Sequence, residues 1–247
     1  MGVVVRPLFA EDAYLSVAEG RVVSQDARGL ILDATNFYAT SGGQPGDTGF
    51  VERADGTRIA VTGTVTGETK AEIIHQLEDG APAFTPGETL ALHIDWARRY
   101  RLMRMHTACH LLSVVCPFPI TGAAVGEEES RVDFDMTGVS VTREDVTERL
   151  MALVAANHRV FTRWIEEAEL DADPSIIRSK NVRPPRGLGR IRIVCIGEDA
   201  SVDSQPCGGT HVSETQEVGA IHISRIENKG KENRRLRIRF GVPEVTA

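Results

Sequence analysis

RRYRLMRMHTACHLLSVVC, running from Arg98 to Cys116, decides how this chain is read. The stretch is rich in helix formers and ends against Pro117, which predicts a helix. Before it come short β-rich runs, EGRVVSQDARGLILDA, GFVERADGTRIAVTGTVTG, TKAEIIHQLED and ETLALHIDW, punctuated by Asp-Gly, Gly-Glu and Pro-Gly pairs and one Gly-rich stretch. That spacing predicts a small barrel or sandwich. After the helix the pattern becomes mixed. In TREDVTERLMALVAANHRV, Thr142 and Asp145 resemble a capping box, and Val146, Leu150, Leu153 and Val154 form an apolar stripe. RIRIVCIG, AIHISRI and RRLRIRFGV then read as strands. The expected architecture is two domains: a small N-terminal β-barrel over residues 1–96, and over 97–247 an α+β domain with helices on a mainly antiparallel sheet.

The same helix carries His106 and His110, four residues apart, so one face would present both rings. Far downstream, CGGTH places Cys207 and His211 around Gly208 and Gly209, which suit a tight turn with positive φ. Three imidazoles and a thiolate are the ligand types that Zn²⁺ prefers. Either pair alone is a weak signal in a chain with seven His and four Cys, and both together are stronger. The alternative is two half-buried helix histidines and a Cys207 that merely packs. Cys109, Cys116 and Cys195 lack ligand-like spacing and read as packing.

Better-known zinc signatures fail at the residue that does the chemistry. Thr107 stands where a zincin has its Glu, and the Pro206-Cys207 pair lacks the second Cys of a nucleobase deaminase. No G-x-S-x-G, Walker loop or G-x-G-x-x-G is present, so no nucleotide cofactor is expected.

With 247 residues, 41% hydrophobic and 26% charged, the chain has the composition of a soluble globular protein. It shows no charged-then-apolar leader and no membrane-length apolar run, so a cytoplasmic location without membrane association is the expectation. The net charge of −7 is unevenly spread: residues 1–95 hold 6 Lys/Arg against 14 Asp/Glu, and the rest hold 22 against 21. Two basic clusters stand out. One is Arg178, Lys180, Arg183, Arg186, Arg190 and Arg192; the other is Arg225, Lys229, Lys231, Arg234, Arg235, Arg237 and Arg239, interrupted by Glu227 and Glu232. Each suits either a phosphate-binding surface or a solvated face. In the second, Arg235, Arg237 and Arg239 alternate with Leu236, Ile238 and Phe240, as in a half-buried strand with a basic outer face.

HTACHLL and CGGTHV, together with FYATSGGQPGDTG (Phe37 to Gly49), RVDFD (Arg131 to Asp135) and VGAIHISRIENKGKENRRLRIRF (Val218 to Phe240), resemble the editing domain of alanyl-tRNA synthetase and its free-standing relatives, the alanyl-tRNA editing proteins. The matching segments span nearly the whole chain and leave no room for an aminoacylation domain. The resemblance is therefore to the medium-length free-standing type, acting in trans. It implies a deacylase that meets the acceptor end of mischarged tRNA for alanine, with seryl and glycyl esters as candidate substrates. It also implies Zn²⁺ on His106, His110, Cys207 and His211.

In this reading Thr40 is the candidate hydrogen-bond partner of a substrate serine hydroxyl, its alternative being a turn hydroxyl that caps local backbone. Gly42 and Gly43 allow close approach, and Gln44 offers a polar contact. Arg235, Arg237, Arg239, Lys229 and Lys231 are the tRNA-binding candidates. Two departures from the family pattern stand out. TGAAVGEEES places Ala123 and Ala124 near a position where related domains often carry Gln, and Ala39 stands where many free-standing members have Pro. Competing readings are threonyl-type editing, a non-catalytic tRNA-binding module with structural zinc, and a metal-dependent hydrolase of small esters.

Overall fold

The structure is a computed structural model that describes residues 4–69, 71–173, 177–180, 189–230 and 232–243. The chain divides into two compact units, Met1–Tyr100 and Arg101–Ala247.

In the first unit β1 (Arg6–Pro7) pairs in parallel with β4 (Ala34–Thr35), with the short α1 (Leu8–Glu11) between them in sequence. The other strands are β2 (Val17–Asp26), β3 (Gly29–Leu32), β5 (Gly49–Glu52), β6 (Arg58–Thr66), β7 (Ile73–Leu77) and β8 (Thr89–Ile94). These six close into a barrel in the order β2-β3-β7-β6-β5-β8. Closure leaves no open sheet edge, which explains how strands this short hold together.

Strand alternation builds two apolar clusters from the one wall. On β3, Leu30 and Leu32 join Val22, Val51, Ile59, Val61, Leu90 and Leu92 in one cluster, while Ile31 between them joins Val5, Phe9, Tyr38 and Ile74 in another. That accounts for β3 being buried at every residue instead of at alternate ones.

The helix α2 (Trp96–Val115) stops two residues short of Pro117, as the sequence predicts. Asp95 caps it, its Oδ1 accepting the Arg98 N–H at 3.1 Å. From Leu102 to Cys116 nearly every side chain is buried, so this is an all-round core helix with no solvent stripe.

The second unit continues with β9 (Ile120–Ala124), β10 (Glu129–Asp135), α3 (Arg143–Ala155), β11 (Val160–Glu166), α4 (Glu167–Ala172), β12 (Arg190–Ile196), β13 (Asp203–Pro206), β14 (Ile221–Asn228) and β15 (Asn233–Phe240). The strands form two antiparallel sheets, β14-β15-β10-β9 and β11-β12-β13. Thr142 Oγ1 accepts the Asp145 N–H at 3.1 Å, supplying the threonine half of the expected capping box. Val146, Leu150 and Val154 are buried, and Thr147 Oγ1 accepts the Ile223 N–H at 3.0 Å, tying α3 to β14. β11 lacks a sequence signal because its middle three residues are all exposed, which breaks the period of two.

Candidate metal centre

α2 and the loop after β13 bring His106, His110, Cys207 and His211 together within the second unit, their ligand atoms all within 4.8 Å of one another. Cys207 Sγ lies 3.5 Å from His106 Nε2 and 3.4 Å from His211 Nε2. Around a tetrahedral Zn²⁺, bond lengths of about 2.3 Å to sulfur and 2.0–2.1 Å to nitrogen set S···N separations near 3.6 Å. The donor set therefore fits such an ion in both type and spacing. The three histidines are buried and Cys207 is half-buried, so Cys207 marks the more open side of the cluster.

Two of the rings are aimed by a partner at the far nitrogen. Asp203 Oδ2 lies 3.1 Å from His110 Nδ1, and Thr107 Oγ1 lies 3.2 Å from His211 Nδ1. Thr107 also accepts the Val212 N–H at 3.3 Å, so the residue at a zincin's catalytic position serves here to hold a ligand and its loop. Arg192 steadies the rest of that loop, its Nη1 donating to the carbonyls of Cys207 and Gly209, both at 2.9 Å. Alternation along β12 explains this placement. Ile191, Ile193 and Cys195 pack together in one core cluster, and Arg192 lies on the opposite face. Neither Gly208 nor Gly209 adopts positive φ, which corrects the expected left-handed turn.

The electrostatics of the cluster are coupled. Burial opposes ionisation of Cys207, yet the charges of His106 and His211 bring its thiol well below its ordinary value. Burial and the neighbouring His106 hold His211 well below the usual imidazole range. Burial also disfavours the charged form of His110, but the Asp203 and Cys207 hydrogen bonds prevail and push it up to about 9. Burial works against ionisation of Asp203 as well, and the His110 and Gln205 hydrogen bonds and the Arg178 charge outweigh it.

In the first unit, the Gly-rich loop turns at Ser41–Gln44. Ser41 N–H donates to Gln44 O at 3.1 Å and Gln44 N–H to Ser41 O at 2.9 Å. Gly42 at φ 57° and Gly43 at φ 85° supply the two left-handed residues of a type I′ turn. At Gly46 an added Cβ would stand 1.9 Å from Thr64 O, so only glycine fits. Thr40 Oγ1 accepts the Gly46 N–H at 2.8 Å and donates to Thr64 O at 3.2 Å, the local capping role weighed above, and one lone pair is left over. Gly42 and Gly43 are exposed, whereas Gln44 is fully buried rather than open at the loop surface.

What pins this loop was not visible in the sequence. Arg99, itself fully buried, donates to Asp47 from Nε at 3.0 and 2.9 Å and also from Nη2, to Ala13 O at 3.0 Å and to Asn36 O at 2.7 Å.

The two basic clusters resolve differently from the sequence expectation. Arg192, on β12, holds the metal-centre loop, Arg178 pairs with Asp203 at 2.9 Å, Lys180 pairs with Asp135, and Arg190 is exposed. Arg183, Arg186 and Lys231 lie outside the described residues. Lys229 is exposed. Arg235, Arg237 and Arg239 share a sheet face with carboxylates. Arg235 meets Asp133 at 2.7 and 2.8 Å, Arg237 meets Glu129 at 2.6 Å and Glu227 at 2.8 Å, and Arg239 meets Glu129 at 3.0 Å. The expected basic outer face is thus a ladder of ion pairs, because the register of β10 and β14 against β15 sets acids beside the arginines. Ala123 and Ala124 lie on β9, paired with Val132 and Arg131.

Comparison with known proteins follows the two units. Residues 14–98, which include the Thr40 loop, match the class II (A) tRNA synthetases. Residues 191–237, which include Cys207 and His211, match the second additional domain of threonyl and alanyl tRNA synthetases. Along 93% of its length the chain is 33% identical to the alanyl-tRNA editing protein AlaX-M of Saccharolobus solfataricus, covering 96% of that protein. It is 34% identical to the AlaX-M of Methanosarcina mazei, over 93% of this chain and 94% of the relative. Alanine–tRNA ligase of Pyrobaculum aerophilum is 35% identical over 90% of this chain, a match that occupies 25% of the ligase. The chain belongs to the alanyl-tRNA editing protein family.

Proposed function

We propose that this protein is a cytoplasmic trans-editing hydrolase that cleaves the aminoacyl ester at the acceptor end of tRNA for alanine mischarged with serine or glycine. The observation that carries the reading is the compact His106, His110, Cys207 and His211 cluster in a chain that aligns with AlaX-M editing proteins along nearly its whole length. Such an activity meets a physical need. A pocket shaped for the alanine methyl cannot exclude glycine by size, and it rejects an added hydroxyl only modestly, so errors must be removed afterwards.

The metal of this reading is Zn²⁺, held by the three histidines and Cys207. Bound there, zinc supplies a positive centre that polarises an ester carbonyl or acidifies water. The chain's own residues do the rest: Asp203 and Thr107 orient two rings, Arg192 fixes the loop, and half-buried Cys207 leaves that side approachable. Thr40 Oγ1, with its remaining lone pair, is the acceptor offered to a serine hydroxyl, a contact alanine cannot make.

The test is single-turnover deacylation of Ser-tRNA(Ala) beside Ala-tRNA(Ala). Wild type releases serine, and Cys207→Ala loses both the activity and the bound zinc. Full activity in metal-depleted Cys207→Ala would sink the reading. The complete set of four protein ligands favours one second reading, a tRNA-binding module with structural zinc. That reading predicts wild-type protein that binds Ser-tRNA(Ala) and releases no serine.

A further inference from the structure

Behind the ligand atoms stands a second group of side chains that ester hydrolysis does not itself require. Asp203 is 2% exposed, and its Oδ2 lies 3.1 Å from His110 Nδ1 and 2.7 Å from Gln205 Nε2. Its other oxygen lies 2.9 Å from Arg178 Nη2. A carboxylate held by two hydrogen-bond donors and a guanidinium only accepts, so Nδ1 of His110 always carries a proton, and Nε2 is the nitrogen that gives up its proton to take a metal.

Arg178 is itself anchored. Its Nη1 donates to Ser113 O on α2 at 2.6 Å, and its backbone straddles the start of β9, with Ile120 N–H on Arg178 O and Lys180 N–H on Ile120 O, both at 2.9 Å. The guanidinium thus ties α2 and the backbone beside β9 to one carboxylate, and that carboxylate touches a ligand ring.

We infer that Asp203 and Arg178 act as one unit that positions the ligand His110, Asp203 by fixing the ring's tautomer and direction and Arg178 by fixing Asp203. The inference rests on the metal-centre reading above. Outer partners of metal-bound histidines raise ligand basicity and hold the ring angle, and their removal typically lowers metal affinity about 10–100-fold.

The experiment uses the full chain as wild type, Asp203→Asn, Arg178→Ala and the double variant. Zn²⁺ affinity is measured by competition with a chromophoric chelator, and the visible spectrum is recorded with Co²⁺ in place of zinc. Asp203→Asn weakens Zn²⁺ binding about 10–100-fold and shifts the Co²⁺ bands. Arg178→Ala shows a smaller decrease in the same direction, and the double variant binds no more weakly than Asp203→Asn, because residues acting through one another are non-additive.

Variants that lower thermal stability but leave affinity and spectrum unchanged overturn the inference, as does a double variant whose effects simply add. If Asp203→Asn does not fold, Arg178→Ala decides alone, since that side chain is 26% exposed, and unchanged Zn²⁺ affinity there overturns the inference. Wild type that takes up neither metal defeats the metal-centre reading and this inference with it. Wild-type binding matched by every variant defeats this inference only.

Discussion

Each unit buries a polar centre, and the two are completed in opposite ways. In the first, Arg99 and Asp47 neutralise each other, and two further guanidinium N–H groups donate to the carbonyls of Ala13 and Asn36. In the second, three imidazoles and a thiolate point their lone-pair atoms at one small space, and His110, pushed up to about 9 against its burial by the Asp203 and Cys207 hydrogen bonds, shows that this space favours a positive charge. A self-completed centre shapes the backbone around it, here the FYATSGG loop, whereas converging acceptors mark a place that something else must fill.

The largest effect expected from this contrast follows removal of Arg99. Arg99→Met leaves Asp47 buried and unpaired, which costs about 3–5 kcal/mol. Amide exchange in β3 and β7 reads the destabilisation, and a change under about 1 kcal/mol would break the comparison by showing that this pair does not hold its unit. The second centre responds instead to what is added. Zn²⁺ at about a thousand times its dissociation constant stabilises the native state by about 4 kcal/mol, seen as protection of amides in β12, β13 and the end of α2. No gain in protection there would make the second centre as self-sufficient as the first.

A third test turns on pH and belongs to the first unit. His75 is fully buried, its Nδ1 3.0 Å from Leu30 O and its Nε2 2.8 Å from Thr35 Oγ1. A carbonyl only accepts, so Nδ1 carries the proton, the threonine hydroxyl donates to Nε2, and the ring is neutral. Burial brings its pKa down from 6.5 to about 4. With the folded value depressed, its contribution is whole above pH 6.5, where both states are neutral, and falls as acid protonates the unfolded chain first. By about pH 4 the decrease reaches about 3 kcal/mol, at about 1.36 kcal/mol per pKa unit. His75→Gln removes this part of the acid sensitivity of the barrel, and an unchanged exchange-versus-pH profile would refute the assignment.

Legibility in the sequence followed distance along the chain. The ligand pairs could be found because each is a local spacing, one on a helix face and one across a short loop. The barrel could be anticipated from turn punctuation, and α2 from its run of helix formers against Pro117. What escaped depends on residues far apart in sequence: Asp203 reaching His110 across 93 positions, Thr107 reaching His211 across 104, and Arg99 reaching Asp47 across 52. Arg192 looked like one more cation in a basic run, and only the pairing of β12 with β13 reveals it as the support of the Cys207 loop. The carboxylates that pair with the arginines of β15 escaped for the same reason, since alternation shows which residues share a face but not which charges the neighbouring strands contribute.

That ladder gives the smallest and most discriminating effect. Arg131, Arg225, Arg235, Arg237 and Arg239 are paired with Glu129, Asp133 and Glu227, so this group keeps a slight positive excess although Arg235 and Arg237 are committed to carboxylates. Arg237 in particular is shared between Glu227 and Glu129, whose hydrogen bonds raise its pKa. In a nucleic-acid complex, each phosphate that a protein cation neutralises adds roughly 0.7–0.9 to the steepness with which log affinity falls against log salt. If the ladder keeps its pairing when tRNA binds, replacing both Arg235 and Arg237 by Ala changes that slope by less than the amount due to one phosphate. A change equal to about two phosphates would mean that these guanidiniums leave their carboxylates for the nucleic-acid backbone. In that case the ladder resembles the metal centre, whose charge is balanced by exchangeable partners, more than it resembles the closed pair of Arg99 and Asp47.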